Sequence, residues 1–174
     1  EFVASRLIKQ MILAGKDVRN AKVYLLGLTF KENCPDIRNT RVVGIIQYLH
    51  EYGINVQIVD PWADRAEAAK EYGVDIIDIV NVKDADAIVL CVAHKEFVAL
   101  SAEEINALYS SEGKNVFFDV KSAFSKEQFK DYNFSYWSLW KLSEGVVYEE
   151  ISFWKNLMLW YKFTCLSIYG DVAC

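Results

Sequence analysis

The four cysteines of this 174-residue chain form no C-x-x-C pair. Structural zinc sites and disulfide frameworks need cysteines at close, regular spacings. The cysteine pattern therefore predicts neither a metal site nor a disulfide framework. It is typical of a reducing compartment and predicts a cytoplasmic location. The cysteines are Cys34, Cys91, Cys165 and Cys174.

Positive charge is also scarce. The 19 Lys and Arg residues stand against 24 Asp and Glu residues, for a formal net charge of -5 at pH 7. Because nucleic-acid-binding surfaces carry an excess of basic residues, this class of partner is not expected. A bound phosphate would have to be held by a few local cations, so we expect a small anionic ligand.

The chain lacks an initiator methionine and a secretory signal, since it begins EFVASRLIKQ. We therefore expect it to be a fragment of a longer protein.

The chain also lacks a convincing membrane span. Residues 151–169 are apolar and aromatic, but Lys155, Asn156 and Lys162 interrupt them, and a span needs about 20 predominantly apolar residues. Two interpretations of residues 140–174 stay open: an amphipathic helix that docks on a partner or a membrane surface, or a tail created by a shifted reading frame or a gene-fragment boundary. We assign this tail no function.

Apolar sequence, in contrast, is ample at 53%, which is enough for the core of one domain. Short β-branched or aromatic runs, typical of buried strands, alternate with helical patterns. This alternation predicts an α/β, Rossmann-like three-layer domain with a mostly parallel sheet. The clearest strand patterns are at 23–26, 55–60, 87–92 and 115–119.

Several helices and one further strand are predicted around these runs. Residues 1–14 place Val3, Leu7, Ile8 and Met11 on one helical stripe. Four more helices are predicted: one between residue 41 and Gly53, one at 63–72 before Gly73, a brief one near 81–84, and one at 101–109 that starts with a capping box. A short strand is predicted at 74–77.

Residues 27–40 join the first predicted strand to the next helix and carry the densest group of chemically useful side chains. Lys31, Arg38 and Arg41 are expected near the start of that helix, where backbone N–H groups and the helix dipole favour an anion. Asp36, Asn39 and Thr40 are candidate caps. The alternative is that these cations are solvated charges of an ordinary connecting loop. Thr29 and Glu32 occupy the positions of the second and third glycines of G-x-G-x-x-G, so a dinucleotide cradle is not predicted here.

Two further residues end predicted strands. Asp60 lies further along the chain from Gly27 than the spacing of about 20 residues at which an acidic residue binds a ribose, so a structural or helix-capping role is favoured. His94 follows the strand at 87–92, at the edge where open α/β sheets bind ligands. For His94 a structural role and a direct substrate contact both stay open.

Residues 27–40 read GLTFKENCPDIRNT. They closely resemble the G-x-x-F-K-x-[NDT]-x-x-D-x-R-x-[ST] signature of the UDP-glucose/GDP-mannose 6-dehydrogenase family, at the start of its C-terminal UDP-binding domain. The loop and AHK at 93–95 are more similar to bacterial members that oxidise UDP-N-acetylhexosamines than to those that oxidise UDP-glucose. The resemblance covers about residues 1–139 and continues at DP (60–61), VAHKEF (92–97), FDVK (118–121) and YWSL (136–139).

The resemblance implies roles for individual residues. Phe30 and Lys31 match the pair that contacts the UDP-sugar, and Arg38 matches the arginine that reaches the nicotinamide cofactor. Lys121 matches a basic position that often contacts the nucleotide, although many relatives have Arg there. The catalytic cysteine of the family belongs to a more N-terminal region, so Cys34 is expected to be a small loop residue and no catalytic residue is assigned.

For the whole protein, the resemblance implies an NAD-dependent enzyme that oxidises the C6 alcohol of a UDP-sugar to a carboxylate for surface polysaccharide. It also implies an N-terminal NAD-binding domain as partner and a homodimer. The implied divisions are the end of a long inter-domain helix at 1–17, a UDP-binding domain at 18–139 and the tail at 140–174. A simple packing helix at 1–14 stays open, and the alternative function is a non-catalytic, flavodoxin-like sensing or interaction module.

Overall fold

Six parallel strands form a sheet in the computed structural model, which describes residues 1–110 and 113–139. Their order is β3-β2-β1-β4-β5-β6, and every pairing is parallel. The predicted α/β, Rossmann-like class is confirmed. The strands are β1 (Val23–Leu26), β2 (Val56–Val59), β3 (Ile76–Ile77), β4 (Ala87–Leu90), β5 (Asn115–Asp119) and β6 (Phe134–Ser138).

Five α-helices lie in the described part of the chain: the first precedes β1, and the other four lie in the crossover connections that parallel strands need. Two short 3₁₀ turns, Ile79–Asn81 and Lys126–Phe129, complete the connections. No described helix is both long enough and apolar enough to cross a membrane. The helices are α1 (Phe2–Leu13), α2 (Val42–Glu51), α3 (Arg65–Tyr72), α4 (Lys95–Val98) and α5 (Ala102–Asn106).

The core lies on both faces of the sheet because successive side chains of a strand point to opposite faces. In β1, Val23 and Leu25 belong to one buried cluster, whereas Tyr24 and Leu26 belong to the other. Buried strands of this kind need apolar residues at every position, which explains the unbroken run.

Helix α1 packs Leu7 and Met11 into the first of these clusters. Val3 and Ile8, the other members of the predicted stripe, are half-buried against the same cluster. The Oγ of Ser135 in β6 donates a hydrogen bond to the Oε1 of Gln10 in α1, at 3.1 Å, and this bond joins residues 125 positions apart. The first helix and the edge strand of the sheet are thus in direct contact.

Several predicted boundaries were wrong. The helix predicted at 101–109 covers only Ala102–Asn106, although its capping box between Ser101 and Glu104 is present. The helix predicted near 81–84 is the 3₁₀ turn Ile79–Asn81. The strand predicted at 74–77 pairs only at Ile76–Ile77, and β6 and α4 were not predicted. The tail predicted at 140–174 lies outside the described residues.

Candidate functional site

The order of the strands reverses between β1 and β4, since the chain moves from β1 outward to β2 and β3 and then returns to start β4 on the other side. At such a point the loops that follow the two central strands separate and leave a crevice at the carboxyl edge of the sheet. The loop after β1, which carries the predicted phosphate-binding residues, and His94, which follows β4, both lie at this edge.

Gly27 allows the chain to turn at the end of β1. Its φ of +95° lies in a region that side chains with a Cβ rarely adopt. A Cβ at this position would stand 2.5 Å from the Cβ and 2.8 Å from the backbone N of Val92, which follows β4. Only glycine therefore lets the two central strand ends approach so closely.

Asp60 is buried after β2 and holds the start of the loop at 27–40. Its Oδ2 accepts hydrogen bonds from the backbone N–H groups of Leu28 (2.6 Å) and Thr29 (3.0 Å). Its Oδ1 accepts from the N–H groups of Trp62 (2.8 Å) and Ala63 (2.9 Å). Asp60 therefore joins the turns that follow β1 and β2, and helix α3 is capped instead by Asp64.

The pKa of Asp60 reflects these bonds. Burial by itself raises the pKa of a carboxyl group, but hydrogen bonds from His94 and from the N–H groups of Leu28, Trp62 and Thr29 lower it to about 2. Asp60 is therefore ionised at neutral pH, and its two oxygens accept every hydrogen bond that the neighbouring N–H groups donate to it.

His94 is completely buried next to Asp60. Its Nδ1 accepts a hydrogen bond from the backbone N–H of Asn33 at 2.9 Å. Its Nε2 lies 2.9 Å from Thr29 Oγ1 and 3.2 Å from Asp60 Oδ2. Since Nδ1 accepts, the ring proton is on Nε2, and the imidazole is neutral and donates to Thr29 and Asp60.

Phe30 and Lys31 are exposed between these fixed points. Phe30 is 36% exposed, whereas Leu28 and Thr29, just before it in the loop, are buried. Its backbone N–H donates to the carbonyl oxygen of Asp36 at 2.8 Å, so the loop folds back on itself. The two residues predicted to contact a UDP-sugar are thus displayed side by side on the surface.

Arg38 is held by Asp36. Its Nε and Nη2 donate to the two carboxylate oxygens of Asp36 at 2.9 and 2.8 Å, a bidentate arrangement. The hydrogen bonds from Arg38 lower the pKa of Asp36 to about 2. The Arg38 side chain is 79% exposed, so its guanidinium is oriented and open to solvent at the same time.

Lys121 reaches the same loop from β5. Its Nζ lies 2.6 Å from Glu32 Oε1, with both side chains about two-thirds buried. Burial raises the pKa of Glu32, but the hydrogen bond and charge of Lys121 outweigh it, and the pKa is lowered. The structure therefore places Lys121 at the same edge of the sheet as the loop that carries Lys31, where it is paired with the carboxylate of the next residue, Glu32.

Sequence reasoning missed Glu32 as the partner of Lys121 and Asn33 as the partner of His94. Both partners lie within the signature, Glu32 directly after Lys31 and Asn33 at its [NDT] position, so membership of the signature was the only available signal. The predicted caps of α2 were wrong: the N-cap is Arg41, whose side chain makes no capping hydrogen bond. Thr40 Oγ1 accepts from the Val42 N–H at 3.2 Å, one residue before that cap, and Asp36 binds Arg38. Asn39 instead adopts a φ of 58°.

The strand order, with its reversal between β1 and β4, and the cationic loop at the carboxyl edge are typical of a nucleotide-binding α/β domain. Residues 24–126 match the family model for the UDP binding domain of the UDP-glucose/GDP-mannose dehydrogenase family. The chain belongs to this family.

Similar proteins carry related names. The chain is 40% identical over 128 residues to Protein CapL of Staphylococcus aureus, which covers 74% of this chain and 30% of that protein. It is 44% identical over 120 residues to the UDP-N-acetyl-D-glucosamine 6-dehydrogenase of Pseudomonas aeruginosa, which covers 69% of this chain and 28% of that protein. The chain thus spans less than a third of the length of these curated relatives.

Solved structures agree on the fold. The NDP-N-acetyl-D-galactosaminuronic acid dehydrogenase of Methanosarcina mazei Go1 matches with a TM-score of 0.66 at 25% identity, over 78% of this chain and 28% of that one. The UDP-D-ManNAc dehydrogenase of Pyrococcus horikoshii matches with a TM-score of 0.63 at 21% identity, over 79% of this chain and 29% of that one.

Proposed function

We propose that this chain binds the nucleotide end of the substrate in an NAD-dependent UDP-sugar 6-dehydrogenase. The observation that carries the proposal is the exposed pair Phe30 and Lys31, displayed at the carboxyl edge of the sheet in a domain of the UDP-binding family. The complete enzyme would oxidise the C6 alcohol of a UDP-N-acetylhexosamine or UDP-glucose to a carboxylate for surface polysaccharide. Binding of the remote nucleotide would position C6 for chemistry performed outside this chain.

The loop at 27–40 does not fit the glycine-rich cradle that binds the pyrophosphate of NAD. Thr29 and Glu32 replace the glycines that let a backbone approach a pyrophosphate, and the Thr29 hydroxyl is already bonded to His94. NAD, which would accept hydride from the sugar, is therefore assigned to an N-terminal domain of the same protein. Arg38 is the residue that would reach this cofactor, because Asp36 orients its exposed guanidinium. A homodimer and a cytoplasmic location complete the proposal.

Titration calorimetry of UDP, and separately of NAD⁺, into the 174-residue chain tests this assignment. We expect saturable UDP binding and no NAD⁺ binding. Binding of NAD⁺ in preference to UDP would contradict the proposal. Binding of neither ligand would favour the non-catalytic, flavodoxin-like module, provided that a full-length protein containing this chain also fails to bind UDP.

Lys31→Ala is expected to weaken UDP binding by about 1.5–3 kcal/mol, the usual scale for a hydrogen bond to a charged group. Lys31 is exposed, so the substitution removes no side chain from the core. Lys70→Ala, at an exposed position near the C-terminal end of α3, removes the same charge at the opposite edge of the sheet and is the control. Calorimetry showing equal UDP affinity for the two folded variants would refute the role of Lys31.

Glu32→Gln is expected to strengthen UDP binding about two- to fivefold, which corresponds to about 0.5–1 kcal/mol, the upper part of the range for ion pairs that remain in contact with solvent. The change releases Lys121 from its carboxylate partner and removes a negative charge beside Lys31. Glu71→Gln, at an exposed position in α3, gives the same change of net charge elsewhere. If the UDP affinity of Glu32→Gln is unchanged or weaker, Lys121 does not contribute to nucleotide binding.

A further inference from the structure

One imidazole ring contacts both ends of the segment that displays the candidate ligand-binding side chains. Thr29 and Asn33 bracket Phe30, Lys31 and Glu32. The Oγ1 of Thr29 lies 2.9 Å from His94 Nε2, and the backbone N–H of Asn33 donates to His94 Nδ1 at 2.9 Å. We propose that His94 is a positioning residue that clamps residues 29–33 in the conformation that binds the nucleotide; this inference rests on the proposed function.

The Nε2 side of the clamp is fully specified by its hydrogen bonds. The Thr29 hydroxyl donates to the carbonyl oxygen of Lys31 at 3.1 Å, so it accepts from the Nε2–H of His94. The same Nε2 lies 3.2 Å from Asp60 Oδ2, which also accepts from the Thr29 backbone N–H. The first end of the segment is thus tied to two buried strand ends through one ring nitrogen.

The Nδ1 side fixes a backbone conformation that would otherwise be costly. Asn33 has a φ of 56°, in the left-handed region. Its N–H points to His94, and its Oδ1 accepts a hydrogen bond from the Lys95 N–H at 2.9 Å. The backbone N–H and the side-chain Oδ1 of Asn33 are therefore both directed at the start of α4.

His94 itself has little freedom. Its side chain is completely buried and packs against Trp62 at 6.4 Å and Phe97 at 5.7 Å between ring centroids. A buried ring with all of its polar atoms bonded holds its partners within the tolerance of about 0.5 Å that a binding site needs. A direct contact with the substrate is not required for such a role.

The decisive variant is His94→Phe, which keeps an aromatic ring between Trp62 and Phe97 but removes both hydrogen-bonding nitrogens. We expect its UDP affinity, measured by calorimetry on the 174-residue chain, to fall at least about tenfold, because misplacement by 1 Å can cost up to about a hundredfold. His94→Gln presents an amide oxygen and an NH₂ group and should recover part of the loss. His50→Phe, the same change at an exposed position in α2, should bind as the wild type does.

Two measurements distinguish the clamp from a merely structural histidine. Hydrogen exchange of the amides at 29–33 should be faster in His94→Phe, while those of β1 and β4 remain protected. The ¹⁵N spectrum of the imidazole should show a neutral ring with its proton on Nε2. The chain has two histidines, so His50→Gln leaves a single ring to assign.

The proposal is overturned if folded His94→Phe binds UDP with wild-type affinity, or if the ring proton is found on Nδ1. Should His94→Phe not fold, Thr29→Val takes its place: it removes the hydroxyl that accepts from Nε2–H and donates to the Lys31 carbonyl, leaves the imidazole in place, and should still weaken UDP binding. If neither the wild-type chain nor a full-length protein containing it binds UDP, the proposed function fails. The exchange and ¹⁵N data then still decide whether His94 holds the segment.

Discussion

Gly27→Ala is expected to destabilise the protein by about 3 kcal/mol or more. The loss has two sources, each worth about 1–3 kcal/mol: strain of a residue with a Cβ at positive φ, and displacement of neighbours by the added atom. The new Cβ would stand 2.8 Å from the backbone N of Val92, which cannot move aside as a flexible side chain would. Urea denaturation monitored by circular dichroism measures the change in the free energy of unfolding.

Gly53→Ala is the matched control for this experiment. Gly53 follows α2 with a φ of +72°, but a Cβ there would meet no atom within 4 Å. Gly53→Ala should therefore lower the free energy of unfolding only by the strain of a residue with a Cβ at positive φ, about 1–2 kcal/mol. If both variants lose the same free energy of unfolding, the close approach between the ends of β1 and β4 is not what requires glycine at position 27.

Asp60→Asn is expected to lower the free energy of unfolding by about 3 kcal/mol, the scale for breaking one partner of a buried charged network. Whichever oxygen becomes an NH₂ group, it then faces backbone N–H donors that have lost their acceptor. Asp64→Asn is the control, because Asn caps the start of α3 as well as Asp does. Thermal and urea unfolding of the two variants should therefore differ clearly.

The same substitution should change the pH dependence of stability. The pKa of Asp60 is about 2 in the folded protein, below its usual value of 3.8. The stabilisation is therefore complete above about pH 4 and is lost as the pH falls towards 2, and it amounts to about 2 kcal/mol. The difference in free energy of unfolding between wild type and Asp60→Asn should shrink over this range. A difference that is constant between pH 5 and pH 2 would contradict the assigned pKa.

Strands that are buried on both faces were predictable from the sequence, and half-buried ones were not. The runs that became β1 and β4 are apolar at every position, and β5 is apolar between its buried end residues Asn115 and Asp119, a pattern that central parallel strands require. Strand β6 is only half-buried along most of its length and carries two serines, so its pairing with β5 decides its conformation. Helix α4 has four residues, too few for a helical period to show.

The same limit applies to the candidate site. The pair of Asp36 and Arg38 lies within two residues, and the signature motif marked both positions. The pair of Glu32 and Lys121 depends on strand order, which local patterns do not contain. His94 was predicted at the right edge, but its main partner is the backbone N–H of Asn33, and a backbone group leaves no mark in a sequence.

The hydrogen bond between Gln10 and Ser135 has a consequence for how the chain folds during synthesis. The two residues are 125 positions apart, and at about 5–20 residues per second the second follows the first from the ribosome after about 6–25 seconds. Until β6 arrives, the apolar cluster that contains Leu7 and Met11 lacks Trp137. Contacts of such long range slow folding, so this cluster stays incompletely covered on the nascent chain for seconds, until β6 joins the sheet.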